Sequence, residues 1–227
     1  MKIFAVICTR SSEILSDTTQ CLLDTLCSFG VEVKLLANQS SIFEAYKKGL
    51  SLCGAKDKDI VILCHDDVEI LNTKAEFTAA LAMCLTKTTG IIGPAGTSNL
   101  GENAVWWDQP KWQQGYHRGS VHHRKEDGTT YPTVYGRCGQ VVALDGLFLA
   151  ARKEVWERVD LSKPKYFEGD WDFYDIHYTT KAHLLGYKNC ATPISIIHDS
   201  SGELVGRDSW HKNREAFIHN VKLPLSC

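Results

Sequence analysis

Five apolar residues in unbroken succession, Ile60-Val61-Ile62-Leu63-Cys64, run straight into His65-Asp66-Asp67. A short, β-rich run without polar alternation reads as a strand buried on both faces. Burial on both faces demands a layer on each side, which points to helices flanking a mainly parallel sheet. The neighbouring sequence supplies them. Lys2 to Cys8 reads as a first strand, and a helix capped by Ser11 or Ser12 runs through Phe29 and stops at Gly30. Val31 to Ala37 is a second strand. Ser40 or Ser41 opens a helix with Ile42, Ala45, Tyr46 and Leu50 on one face, ending near Gly54. Thr73 to Lys87 is helical in pattern, and Gly90 to Gly93 returns to strand. Crossovers of this length imply parallel pairing, with ligands bound beyond the carboxyl ends of the strands. His65-Asp66-Asp67 falls there, as do Thr9 and Arg10.

The second half is less regular. Thr97 to Tyr131 is rich in Gly, Trp, His and Gln without a visible period, and reads as a long functional loop. Its aromatic side chains suit an acceptor site, and donor binding would order it as a lid. Gln140 to Ala151 reads as one strand, with a helix from about Lys153. A helix from Tyr174 to Gly186 and the apolar run Ile194 to Ile197, followed at once by His198, complete the pattern. The length, 227 residues, suits a single domain made of two lobes, divided at about residue 96.

Composition removes several classes. A formal net charge of -2 and the lack of a basic run argue against nucleic acid. No apolar stretch approaches the roughly 20 residues needed to cross a bilayer. Met1 to Ile7 reads as a strand rather than a signal peptide. Nine cysteines are dispersed without a CxxC pair, so reduced thiols in a cytoplasmic compartment are expected.

A carboxylate at the end of a buried strand is costly unless it holds something. Asp66 and Asp67 suit Mg²⁺ or Mn²⁺, which take one or two protein carboxylates together with substrate phosphates; a turn or helix-cap role is the alternative. Asp175, at the start of a helix and amid Glu168, Asp170 and Asp172, suits a general base, with plain helix-start stabilisation as its alternative. His198 after a strand suits a metal ligand or an ordinary polar residue. Trp106 and Trp107 suit a sugar face or simple packing.

The motifs, taken in order, resemble those of family 2 glycosyltransferases of the GT-A fold, and within them the streptomycin-biosynthesis-like branch. They are His65-Asp66-Asp67-Val68, the segment Leu144 to Arg152, Phe173-Tyr174-Asp175-Ile176-His177, Gly186-Tyr187-Lys188 and the segment Ile197 to Gly202. The resemblance implies an α/β fold with a Rossmann-like nucleotide-binding half and a mixed, mainly parallel sheet. It implies that Asp67 is the metal-binding acid of the DXD motif, with His65 in place of the first acid, and that His198 completes the metal site. Asp66, Thr9 and Arg10 would face the nucleotide, and Asp145 and Gly146 the donor phosphate and acceptor. Asp175 would be the base, with Tyr174 in place of the glutamate of the Glu-Asp motif. The implied activity is inverting, hexosyltransferase-type and dependent on Mn²⁺ or Mg²⁺. The donor would be a UDP-sugar, with a dTDP-sugar as second choice, and the acceptor a glycan or small-molecule hydroxyl. Two rivals stand beside it: a degenerate, non-catalytic carbohydrate-binding protein, and a sugar nucleotidyltransferase. The latter normally has a Gly-rich loop after the first strand, and Cys8 to Ser12 contains no glycine.

Overall fold

The computed structural model describes residues 1–9, 13–125, 127–199 and 208–227. The apolar run becomes the strand Ile60–His65, an interior strand of a seven-stranded sheet. In spatial order the sheet contains Gly139–Val141, Lys188–Ala191, Thr89–Gly93, Phe148–Arg152, Ile60–His65, Ile3–Thr9 and Glu32–Ala37. Ile3–Thr9 pairs parallel with both neighbours, whereas Phe148–Arg152 runs antiparallel to Ile60–His65. The sheet is therefore mixed, as the motif pattern implied. Val61, Ile62 and Leu63 are fully buried. Trp156, on the helix Lys153–Val159, covers this strand and donates its indole N–H to the Val61 carbonyl at 2.9 Å.

Local chemistry explains the helix boundaries. Asp17–Phe29 is capped by Ser16, whose hydroxyl accepts from Thr19 N, and ends at Gly30 with φ of 83°. Ser16 thus replaces the expected Ser11 or Ser12, which lie outside the described residues. Ser41 caps Ile42–Leu52. Thr73 and Glu76 form a reciprocal capping box on Lys74–Leu81. That helix stops earlier than its pattern suggests and tightens into a 3-10 turn, Ala82–Leu85. Beyond it the buried Arg152 guanidinium takes the Cys84, Thr86 and Lys87 carbonyls, groups that a continuing helix would have used itself.

Two expectations for the second half are corrected. Residues 97–131 are not one irregular loop. They contain the short helix Gln109–Gln113 and the strand His117–Arg124, which pairs with Thr130–Gly136 as a hairpin. That hairpin belongs to a second, six-stranded sheet with Ala143–Leu144, Ala95–Thr97, Ile196–His198 and Val68–Ile70. Nor is Gln140 to Ala151 one strand. It breaks into Gly139–Val141, Ala143–Leu144 and Phe148–Arg152, which serve two different sheets. The break leaves Asp145 and Gly146 in a turn facing the cleft between the sheets. No helix among the described residues is long and apolar enough to cross a membrane.

Candidate functional site

At the carboxyl end of Ile60–His65 the chain leaves the large sheet, bends through Asp66 and Asp67, and enters the small one at Val68. Register then fixes a partner. Ile196–His198 runs antiparallel to Val68–Ile70 with His198 opposite Val68, and Asp199 N donates to the Asp67 carbonyl at 2.8 Å. The His198 imidazole is thereby held beside the Asp67 carboxylate, its Nε2 3.5 Å from Oδ1. His65 approaches the same oxygen, with Nδ1 at 3.6 Å. Both separations are ion-pair contacts, too long for hydrogen bonds. Asp67 Oδ1 is buried and has no hydrogen-bond partner. Burial disfavours a charge on Asp67, but the His198 and His65 imidazoles outweigh it and hold the carboxyl far below the usual carboxylate range. His65, Asp67 and His198 each offer one ligand atom within 4.8 Å of the others. An unsatisfied carboxylate oxygen between two imidazoles fits a divalent cation.

The helix Tyr174–Leu184 brings the second acid. Its first turn is set by Phe173, which adopts a left-handed φ of 69° and is wedged against Trp210 and Phe217. Asp175 Oδ1 accepts from Ile176 N at 2.8 Å and Oδ2 from Gly146 N at 3.1 Å. Gly146 is obligatory for a steric reason. A Cβ there would lie 2.8 Å from the Tyr174 ring and 2.9 Å from Asp175 Cβ, inside van der Waals contact. Burial and then the like charge of Asp145 push the Asp175 carboxyl up to about 7, against the pull of the two N–H donors and His65. Asp145 is itself raised, mainly by burial, with His198 and His65 opposing.

The other three acids of residues 168–175 have structural partners. Asp172 accepts from Ser209 Oγ at 2.5 Å, Asp170 from Lys163 at 2.9 Å, and Glu168 pairs with Lys212 at 3.1 Å. The C-terminal helix Asp208–Asn220 braces this segment: buried Asn213 bonds Gly169 through both its N–H and C=O, and also takes the Asp172 carbonyl.

One cavity of about 420 Å³ gathers these groups. Thr9, His65, Asp66, Asp67, Asp145, Gly146, Asp175 and His198 all line it. Arg10 lies outside the described residues. Trp106, Trp107, Tyr135, Trp171 and Trp210 line the same cavity. Trp106 meets Trp107 edge-on with centroids 5.8 Å apart, and Trp107 packs on Trp210 at 5.8 Å. Trp171 and Trp210 carry no local sequence signal for this cavity, and only the fold brings Trp210, on Asp208–Asn220, to it. His65 was read only as the residue replacing an acid.

A family profile described as "glycosyltransferase like family" matches residues 5–220. The chain belongs to this glycosyltransferase-like family. No curated protein matches its sequence. Among solved structures, GalNAc-T7 with UDP, GalNAc and Mn²⁺ superposes with a TM-score of 0.58 at 12% identity. That match covers 97% of this chain and 48% of the other, so this glycosyltransferase-like chain spans about half the length of that relative. A mutant Drosophila beta-1,4-galactosyltransferase 7 in complex with manganese, UDP-Gal and xylobiose gives a TM-score of 0.47 at 13% identity, over 83% of this chain and 64% of that one. At 12% identity the GalNAc-T7 likeness is one of fold, the mixed α/β architecture described above.

Proposed function

We propose that the protein is a metal-dependent, inverting glycosyltransferase of hexosyltransferase type, within the streptomycin-biosynthesis-like branch of its family. The observation that carries this reading is that Asp67 and Asp175 line one cavity of about 420 Å³ together with several aromatic side chains. Residues 1–96 would form the donor half, with Thr9 and Asp66 toward the nucleotide, and residues 97–227 the acceptor half. The donor is a UDP-sugar, or failing that a dTDP-sugar, and the acceptor is a hydroxyl of a glycan or small molecule. UDP and Mn²⁺ in the GalNAc-T7 structure support that choice of donor and ion.

Asp67 and His198 would hold the Mn²⁺ or Mg²⁺ ion. When bound, such an ion supplies positive charge that stabilises a diphosphate leaving group. The chain's own residues do the rest. Ionised Asp175 takes the proton of the acceptor hydroxyl as its oxygen bonds to the anomeric carbon and the bond to the donor phosphate breaks. One displacement of this kind inverts the configuration. The Gly146 and Ile176 N–H groups keep the carboxylate aimed, and the aromatic lining keeps competing water out. Buried thiols at Cys8, Cys64 and Cys84 accord with a reducing, cytoplasmic setting.

The test is a screen of UDP- and dTDP-sugars with Mn²⁺ and simple glycoside acceptors, following nucleoside diphosphate release and the anomeric configuration by NMR. Pyrophosphate release, retention of configuration, or nucleotide-independent sugar binding would each refute the proposal.

A further inference from the structure

His65 and Tyr174 stand at the two positions where the motifs carry an unusual residue, 109 residues apart, and the fold puts them in contact. His65 Nε2 lies 2.5 Å from the Tyr174 hydroxyl. The same hydroxyl lies 3.0 Å from the Gly146 carbonyl. A carbonyl only accepts, so the one phenolic proton is committed to Gly146. The Tyr174 oxygen must then accept from His65, and His65 Nε2 must carry the proton. In the neutral ring this leaves the Nδ1 lone pair aimed along the 3.6 Å contact with Asp67 Oδ1, the buried oxygen that has no hydrogen-bond donor. His198 Nε2 faces that oxygen from 3.5 Å. Two imidazole nitrogens and one carboxylate thus converge on a common point, and the protonated edge of His65 is turned away from it.

We infer that His65 is a third metal ligand through Nδ1, that Tyr174 is the positioning residue fixing its tautomer, and that this ligand set selects Mn²⁺ over Mg²⁺. The inference rests on the metal-dependent reading of the cleft and deepens it. Its logic is ligand hardness. Mg²⁺ prefers oxygen and sheds water reluctantly, so it gains little from imidazole, whereas Mn²⁺ accepts mixed nitrogen and oxygen donors. A ligating histidine gains basicity and orientation when its other N–H is held, and losing such a partner typically weakens metal binding about 10–100-fold. Tyr174 is well placed for this, being buried and packed edge-on against Phe43 and Tyr46.

The experiment uses the full chain with Mn²⁺ alone, then with Mg²⁺ as competitor. Loss of the free-ion electron paramagnetic resonance signal gives affinity, and pulsed measurements count directly bound nitrogens. The wild type should show two bound nitrogens and bind Mn²⁺ at least about tenfold more tightly than Mg²⁺. His65→Asp should show one nitrogen and a narrowed Mn²⁺ preference. Tyr174→Phe keeps the ring and should fold with a near-native melting temperature, while its Mn²⁺ dissociation constant rises about 10–100-fold. A single nitrogen in the wild type, two nitrogens surviving in His65→Asp, or an unchanged dissociation constant in Tyr174→Phe would overturn the inference while leaving Asp67 and His198 as ligands. A wild type that binds no Mn²⁺, even with UDP present, would overturn the metal-dependent reading as well.

Discussion

Replacing Asp175 with asparagine removes the proposed proton acceptor with little change in volume, and the structure specifies how the effect should depend on pH. The carboxylate is surrounded by Asp145, His65, the Tyr174 hydroxyl and two backbone N–H groups, and its pKa rises from 3.8 to about 7, chiefly through burial. Only the ionised form can take the acceptor proton. With a pKa of about 7, roughly a tenth of the free enzyme is competent at pH 6 and roughly nine-tenths at pH 8, so kcat/KM should rise about tenfold between them. Asp175→Asn should lower kcat by about 10²–10⁴-fold and flatten the profile, with donor KM little changed. Stability provides the control. A carboxyl whose folded pKa lies above its unfolded value binds its proton more tightly when folded. Stability from this group is therefore full below pH 3.8 and is lost as pH climbs through about 7. Asparagine removes that penalty, on the order of 4 kcal/mol at pH 8, but can accept only one of the two N–H bonds well, at a cost of about 1–3 kcal/mol. The variant should therefore remain folded. The assay follows nucleoside diphosphate release from saturating UDP-sugar and Mn²⁺ between pH 5.5 and 8.5. A variant that turns over at the wild-type rate, or keeps the wild-type pH profile, would refute the assignment.

Three further outcomes are expected. Asp67→Ala should abolish the Mn²⁺ dependence of UDP binding in calorimetry while leaving the fold intact; equal Mn²⁺ dependence in variant and wild type would contradict the ligand role. Gly146→Ala should reduce kcat by at least about tenfold with near-normal donor affinity, since the new methyl displaces Tyr174 and Asp175; unchanged kinetics would show the turn to be slack. Burial, with Lys181 adding to it, depresses the pKa of His177 from 6.5 to about 4, so its contribution is present above pH 6.5 and lost as pH falls toward 4. Urea unfolding at pH 7 and pH 4 should therefore show His177→Gln losing about 2–3 kcal/mol less than the wild type, and equal losses would disprove it.

Much of this molecule could be read from its order of residues, and the exceptions have physical causes. Ile60–His65 was visible because burial on both faces leaves a run with no polar interruption. Ser41 was visible because an uncapped helix end needs a side-chain acceptor. The strand His117–Arg124 was not, although its burial alternates from His117 to Val121. The inward positions there are His117, Gly119 and Val121, and only the last is apolar, so the period of two carries no hydrophobic signal. The break at Asp145 and Gly146 was hidden by apolar residues on both sides, which look the same whether they serve one sheet or two. Asp67, Asp175 and His198, read from their positions relative to strands and a helix, line one cavity. The placement of His65 depends on Tyr174 across the cleft, a tertiary contact that no local pattern encodes.

Asn213 carries a consequence for how the first turn of Tyr174–Leu184 is held. A single amide, far along the final helix, ties down Gly169 and Asp172 and so governs the lead-in to Asp175. The approach to the carboxylate proposed as the base is thus braced by a helix that lies further along the chain. Loosening that amide would unsettle the approach to Asp175 while leaving the pairing of His198 with the Asp67 strand untouched.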